Sequence, residues 1–154
     1  MLKMFSSKDN LFMERAIELA RESFDEGEVP VGAVIVKDEK IIGEGKNKVI
    51  SDNDVTSHAE INAIREASKN IKNYRLNECS MYVTLEPCHM CAKAAVDARL
   101  SCIIFAALEP KTGSILSIDN LFDKKELNHN PSYQYGLLKD KSSKLLKDFF
   151  RLRR

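Results

Sequence analysis

Residues 81–107 read MYVTLEPCHMCAKAAVDARLSCIIFAA and carry the clearest information about the fold. The β-branched and apolar run over residues 81–85 predicts a strand, and residues 102–107 predict a second, buried strand. Between them, residues 88–98 have helical spacing and follow Pro87, a residue that favours the start of a helix. Because helical crossovers join parallel strands, the segment predicts a β-α-β unit.

The flanking sequence supplies further strands and helices. A polar turn over residues 37–40 separates two apolar runs and predicts an antiparallel hairpin. Asp9 or Asn10 is the predicted cap of the first helix, and Thr56 or Ser57 that of the second. The other predicted elements are helices over residues 9–26, 58–69 and 139–151 and strands over residues 31–36, 41–45 and 132–135. This order indicates a three-layer α/β domain.

Length and composition indicate a single domain over residues 1–154. Apolar residues make up 44% and charged residues 31%, a balance that excludes a disordered polymer and a membrane protein. The longest apolar run, residues 102–108, is far shorter than the ~20 residues of a membrane span, and residues 1–7 have no apolar region as long as a secretion signal requires. We therefore expect a cytoplasmic protein whose four cysteines are thiols or metal ligands.

Charge is unevenly distributed along the chain, although the net charge is only +1. Residues 1–60 hold eight Lys and Arg against thirteen Asp and Glu, whereas residues 139–154 hold seven against two. The C-terminal segment could therefore form a local phosphate-binding patch, or simply the solvated face of a helix. With Phe149 and Phe150, the residues of this patch would be Lys139, Lys141, Lys144, Lys147, Arg151, Arg153 and Arg154.

Two short motifs carry candidate chemistry. Cys88 and Cys91 are three residues apart on a predicted helix, so both thiolates could bind one tetrahedral ion. Alone, such a pair is equally compatible with buried thiols or a redox site. His58 would supply a third ligand and leave the fourth position open, as in catalytic zinc sites. Glu60 lies about 200° around the helix from His58, where it could transfer protons to and from a metal-activated water.

The combination of motifs is the H-x-E and P-C-x-x-C pattern of the zinc-dependent nucleobase deaminases. More closely, nearly the whole chain resembles the bacterial tRNA-specific adenosine deaminases. That resemblance implies an α/β/α cytidine deaminase-like fold with a five-stranded mixed sheet, a Zn²⁺ cofactor, a homodimer, and conversion of the wobble adenosine of a tRNA anticodon to inosine. The similar stretches are residues 28–33, 43–47, 58–61, 82–88, 111–113, 127–129 and 149–154.

The resemblance also implies roles for residues outside the metal motif. Asn47 would hydrogen-bond the flipped base, Val29 would line its pocket, and the backbone of Ala59 would contact it. Phosphate contacts with tRNA would come from the loop that contains Lys111 and from the basic C-terminal segment. The candidates there are Lys144, Lys147 and Arg151.

Several positions depart from the family pattern. Leu108 stands where arginine is common and Glu109 where aspartate is common, which puts RNA contacts near Glu109 in doubt. His89 replaces an apolar residue without removing a ligand. Lys46 replaces an aromatic residue, so we expect a more basic pocket mouth.

Two other functions are compatible with the motif. A deaminase of a free nucleobase or nucleoside, of the guanine or cytosine type, would use the same metal and glutamate but would not need the basic segment or the Lys111 loop. A non-catalytic zinc module would need a fourth protein ligand, and no candidate has suitable spacing to the cysteine pair. Those candidates are Cys79, Cys102, His89 and His129, for which packing or hydrogen-bonding roles are expected instead.

Overall fold

The computed structural model describes residues 5–153 and contains one five-stranded sheet in the order β2-β1-β3-β4-β5. The first two strands form an antiparallel hairpin, β1 also pairs antiparallel with β3, and β3, β4 and β5 are parallel. The mixed sheet and the parallel β-α-β unit are thus confirmed. The strands are β1 (Gly32–Lys37), β2 (Lys40–Lys46), β3 (Ser80–Leu85), β4 (Cys102–Ala107) and β5 (Ser132–Tyr135).

Helices cover both faces of this sheet. Side chains alternate along a strand, so neighbouring residues such as Ile103 and Ile104 enter separate cores on opposite faces. One core lies between the sheet and the helices α3 and α4. The other lies between the sheet and α1, and α5 packs beside α1. The helices are α1 (Ser7–Asp25), α2 (Val49–Asp52), α3 (Ala59–Ile71), α4 (His89–Asp97) and α5 (Lys139–Leu152), with a 3₁₀ turn at Leu121–Asp123. The arrangement is the three-layer α/β/α architecture.

Glycines allow α3 to lie unusually close to β2. A Cβ atom added at Gly45 would be 2.2 Å from the Ala59 carbonyl oxygen and 2.4 Å from the Ala63 nitrogen. At Gly43 it would be 2.6 Å from the Ala67 nitrogen. These distances are too short for any side chain, so backbone packs on backbone. The contact fixes the position of the N-terminus of α3, which follows directly after His58.

The predicted helix caps are wrong in both cases. Ser6 caps α1, since its hydroxyl accepts the Asp9 N–H while the Asp9 carboxylate accepts the Ser6 N–H. His58 is the N-cap residue of α3, because the helix begins at Ala59, and within residues 5–153 no side-chain hydrogen bond caps it. The hydroxyls of Thr56 and Ser57 bind the preceding turn. They donate to Asp54 at 2.7 Å and Asp52 at 2.6 Å, respectively.

No helix within residues 5–153 has the length and apolarity that crossing a bilayer requires.

Candidate active site

The sheet and its helices bring the two sequence motifs together at the N-termini of α3 and α4. His58 and Cys88 are the N-cap residues of these helices, and Cys91 lies in the first turn of α4. The His58 Nδ1 atom is 3.5 Å from the Cys91 Sγ atom and 3.8 Å from the Cys88 Sγ atom. All three potential ligand atoms lie within 4.8 Å of one another.

This spacing fits one tetrahedral metal ion. Zinc binds thiolate sulfur at about 2.3 Å and imidazole nitrogen at about 2.0–2.1 Å, which places neighbouring ligand atoms about 3.5–3.8 Å apart. Within residues 5–153 no additional His, Cys, Asp or Glu joins the group. Three protein ligands with an open fourth position are typical of catalytic sites rather than structural sites.

The side chains of His58, Cys88 and Cys91 shift one another's pKa values. A hydrogen bond from the Cys91 thiol, together with the nearby His58 ring, lowers the pKa of Cys88 to about 3. The Cys88 thiolate in turn raises the pKa of Cys91, with burial adding to the effect, and raises the pKa of His58. Because a metal takes thiolates and neutral imidazole as ligands, binding would release the protons held in this cluster.

Glu60 lies beside the ligands in the first turn of α3 and is only 5% exposed. Burial raises its pKa to about 7, with a further contribution from the Cys88 thiolate. A carboxyl group with a pKa near neutral can both accept and release a proton under ordinary conditions. The geometry therefore gives Glu60 the properties of a general acid and base.

A cavity of about 470 Å³ opens above these residues. His58, Ala59, Glu60 and Cys88 form part of its lining. Its size is within the range of small-molecule sites in proteins.

Asn47 also lines the cavity and presents a free acceptor. Its side-chain amide donates to the Val29 carbonyl oxygen at 3.1 Å, which fixes the orientation of the side chain. Its Oδ1 atom is buried and has no hydrogen-bond partner within residues 5–153. An unpaired buried acceptor costs stability unless a ligand donates to it. Val29 lies beside it in the same wall.

Two buried glutamates that the sequence analysis missed shape the walls of the cavity. Burial alone would raise the pKa of Glu28, but the N–H groups of Ile50 and Ser51, at 3.0 and 2.8 Å, lower it and anchor α2. Burial would likewise raise the pKa of Glu86, but the Ser117 hydroxyl and several backbone N–H groups lower it. The sequence does contain a signal that could have found them. Glu28 stands shortly before β1 and Glu86 directly after β3, and neither has an obvious cation partner.

Known proteins are similar to this chain in sequence and in fold. The model of the MafB19-like deaminase family matches residues 6–154. The tRNA-specific adenosine deaminase of Haemophilus influenzae is 46% identical over 99% of this chain and 88% of its own length. That of Aquifex aeolicus is 43% identical over 91% of this chain and 92% of its own length. The chain belongs to the tRNA-specific adenosine deaminase family.

Solved structures agree with this assignment. One from studies of A-to-I editing by tRNA:A34 deaminases at the wobble position of transfer RNA superimposes on this deaminase with a TM-score of 0.86. It is 40% identical and covers 88% of this chain and 99% of that one. A guanine deaminase from Nitrosomonas europaea has a TM-score of 0.75 over 96% of this chain and 86% of its own, but at 20% identity it shows only a shared fold.

Among the described basic residues of the C-terminal segment, Arg153 lines the cavity, whereas Lys144, Lys147 and Arg151 lie outside its lining. Lys144, Lys147 and Arg151 follow the exposed face of α5, where Asp148 accepts from Lys144 at 2.7 Å and from Arg151 at 3.0 Å. Lys111 is exposed, and its neighbour Thr112 lines the cavity. The predicted C-terminal patch is therefore partly paired within α5, and Arg154 lies outside the described residues.

The aromatic pair of α5 is divided between the core and the surface. Phe149 is only 5% exposed and lines the cavity, and the Arg153 guanidinium lies 4.3 Å from its ring centroid. Arg153 also donates to the Gly27 carbonyl oxygen at 2.8 Å. Phe150 is exposed and contacts the edge of Phe149. The C-terminal end of α5 thus borders the opening of the cavity.

Of the departures from the family pattern, Glu109 and its neighbour Leu108 adjoin the cavity. Glu109 lines the cavity and Leu108 is exposed beside it. The prediction that Lys46 makes the mouth more basic is wrong, because its ammonium binds Glu22 at 3.2 Å and Glu26 at 2.6 Å.

The candidate fourth ligands are engaged elsewhere. His89 contacts Asp119 at 3.1 Å, and His129 binds the Leu100 carbonyl oxygen at 2.6 Å. Cys79 is fully buried in the core, and Cys102 packs against the core on the other face of the sheet.

Proposed function

We propose that this deaminase hydrolyses the 6-amino group of the wobble adenosine in a tRNA anticodon, giving inosine and ammonia. One observation carries the proposal. The buried Glu60 lines the cavity and lies beside the group formed by His58, Cys88 and Cys91. The high identity to tRNA-specific adenosine deaminases over nearly the whole chain supports tRNA as the substrate class.

Zinc is the metal that this donor set fits best, since two thiolates and one imidazole in tetrahedral spacing are its preferred ligands. His58 Nδ1, Cys88 Sγ and Cys91 Sγ would hold it. When bound, zinc supplies a water molecule that loses a proton near neutral pH.

The residues of the chain perform the proton transfers and hold the base. Glu60 accepts a proton from the attacking water and delivers it to N1 of the purine. It then takes the proton of the newly added C6 hydroxyl and delivers it to the departing amine, which leaves as ammonia. The free Oδ1 atom of Asn47 accepts a hydrogen bond from the base. Val29 packs against the ring of the base, and the backbone of Ala59 also contacts the base. Water adds at C6 as ammonia leaves, so adenosine and water become inosine and ammonia.

The remaining proposals concern the setting of the reaction. On the strength of the family resemblance, we propose one catalytic domain over residues 1–154 that acts in the cytoplasm as a homodimer. The described part of the chain supports the first point, because the sheet and both cores are continuous through residues 5–153.

Incubation of the zinc-loaded protein with total tRNA tests the proposed reaction. We expect inosine at the wobble position, found by mass spectrometry of nuclease fragments, with an equal amount of ammonia. Parallel incubations contain free adenosine, cytidine, cytosine and guanine at the same concentration, and we expect no ammonia from them. Turnover of a free base or nucleoside without tRNA editing would instead establish the small-molecule deaminase.

A charge reversal on α5 tests the contact with tRNA phosphates. In the double variant Lys147→Glu/Arg151→Glu, we expect weaker tRNA binding and a shallower salt dependence. The slope of log K against log salt should fall by about one unit for each phosphate that the variant no longer neutralises, because fewer counterions are then released on binding. The measurement is tRNA affinity by fluorescence anisotropy at several salt concentrations.

The matched control reverses two charges far from the opening of the cavity. Lys40 and Lys72 are exposed near the C-terminal end of α3, opposite to the ligands at its N-terminal end. Lys40→Glu/Lys72→Glu should therefore leave the salt slope unchanged. Equal slopes for the α5 variant, the control and the parent would remove this face of α5 from the RNA-binding surface.

A further inference from the structure

Glu86 occupies a position that the chemistry above does not use. It follows the last residue of β3, precedes Pro87 and the ligand Cys88, and is only 3% exposed. Within residues 5–153 no Lys, Arg or His forms an ion pair with its carboxylate. A buried carboxylate without a cation partner requires several hydrogen-bond donors.

Those donors come from one loop, residues 109–117. The Oε2 atom of Glu86 accepts the N–H groups of Ile115, Leu116 and Ser117 at 3.1, 2.7 and 3.0 Å. The Oε1 atom accepts the Glu109 N–H at 3.1 Å and the Ser117 hydroxyl. Backbone amides that converge on one anion in this way form a nest, here filled by a side chain of the same protein.

The loop has no helix or strand of its own, so its shape depends on these contacts. Gly113 packs directly on the carboxylate, since an added Cβ atom would lie 2.3 Å from the Glu86 Cδ atom. Ser114 donates its N–H to the Pro87 carbonyl oxygen at 3.0 Å, directly before the ligand Cys88. Both contacts tie the loop to the segment that carries the metal ligand.

The same loop forms one wall of the cavity. Glu109 and Thr112 line it, and Lys111 is exposed between them. A change in the position of this wall would move the groups that face the target nucleotide relative to Cys88 and Glu60. The contacts of Glu86 therefore connect the geometry of the metal site with the geometry of substrate binding.

We propose that Glu86 is a positioning residue that fixes loop 109–117 as the wall against which the target nucleotide binds. It acts through the backbone amides of the loop, and both its oxygens are occupied by loop donors, so it does not contact the reacting atoms. The expected effect of Glu86 on tRNA binding rests on the proposed function, whereas its effect on the loop does not depend on any substrate.

Two substitutions at Glu86 separate the effect of side-chain length from the effect of charge. In Glu86→Gln, an NH₂ group replaces one oxygen and faces an N–H donor of the loop. In Glu86→Asp, the charge remains but the carboxylate is one methylene too short for its donors. We expect amide hydrogen exchange over residues 109–117 to become at least tenfold faster in both variants, with the exchange of α3 unchanged. A role of the charge alone would leave Glu86→Asp with parental exchange.

Kinetics provide the second measurement. We expect kcat/KM for tRNA to fall by about 10²-fold in both variants, mostly through a higher KM, while the zinc content remains equal to that of the parent. The wall binds the nucleotide before and during the reaction, so its displacement affects binding more than the chemical step. Ser117→Ala, which removes one donor and leaves the fold intact, should change both measurements in the same direction by a smaller amount.

Glu44→Gln is the matched control, because Glu44 is a partly buried carboxylate whose partner is Arg15, outside the cavity. It should leave exchange over residues 109–117 and the KM for tRNA at parental values. Parental exchange and KM in Glu86→Gln and Ser117→Ala would overturn the proposal. If the parent did not edit tRNA, the proposed function would fail, and the exchange experiment would still decide whether Glu86 anchors the loop.

Discussion

Replacement of Glu60 by alanine should reduce deamination by about 10⁴-fold, the upper end of the range for general acid–base catalysis, while the protein keeps its fold and its metal. The effect is large because this one carboxyl group carries the proton of the attacking water and the proton of the leaving amine. The fold should persist, because burial disfavours the ionised form of Glu60 and its removal leaves no unpaired charge behind.

Single-turnover inosine formation from tRNA measures this decrease, with zinc content and melting temperature determined on the same samples. Glu66→Ala is the control, since Glu66 is an exposed glutamate on the same helix. Glu60→Gln should behave like Glu60→Ala, because it preserves shape but cannot exchange protons. A variant at position 60 that edits tRNA at nearly the parental rate would show that another group carries the proton.

Removal of a metal ligand should lower activity by a factor similar to that expected for Glu60→Ala, and it should lower stability much more. The parent is expected to bind one zinc ion per chain, and Cys91→Ser to bind almost none, because a serine hydroxyl is not ionised at neutral pH. A ligand present at about 1,000 times its dissociation constant stabilises the folded state by about 4 kcal/mol. We therefore expect a clear fall in melting temperature for the variant and for the chelated parent.

Metal analysis and X-ray absorption measure this site directly. The expected coordination is one nitrogen and two sulfur atoms from the protein, with one further oxygen atom. Cys102→Ala, which changes a cysteine on the other face of the sheet, should retain zinc and activity. A coordination sphere of four protein ligands, or a gently purified protein free of zinc, would contradict the proposed centre.

The sequence predicts most of the architecture, because the periodicity of its apolar residues is strong. The strands over residues 102–107 and 132–135 agree with β4 and β5 at both ends. The short helix α2 was not predicted, since its four residues have no periodicity and depend on a contact with the distant Glu28. The cap of α3 was misassigned because the helix begins at Ala59, after His58, and the hydroxyls of Thr56 and Ser57 donate to carboxylates of the preceding turn.

The candidate site, like the fold, could be predicted only in part from the sequence. The grouping of His58, Cys88 and Cys91 could be predicted because each half of the motif depends on residue type and short spacing. The role of Glu86 could not, because its partners are backbone amides that converge only in the folded loop. For α5, the sequence shows the number of positive charges but not the pairing of two of them with Asp148.

The backbone contact between α3 and β2 has a consequence for protein engineering. At Gly43 and Gly45 there is no room for even a methyl group, so α3, which begins directly after His58 and carries Glu60, cannot move closer to β2. Other parts of the cavity lining belong to irregular segments, such as those around Val29 and Thr112. Libraries designed to accept bulkier or differently shaped bases should therefore vary these segments and keep both glycines fixed.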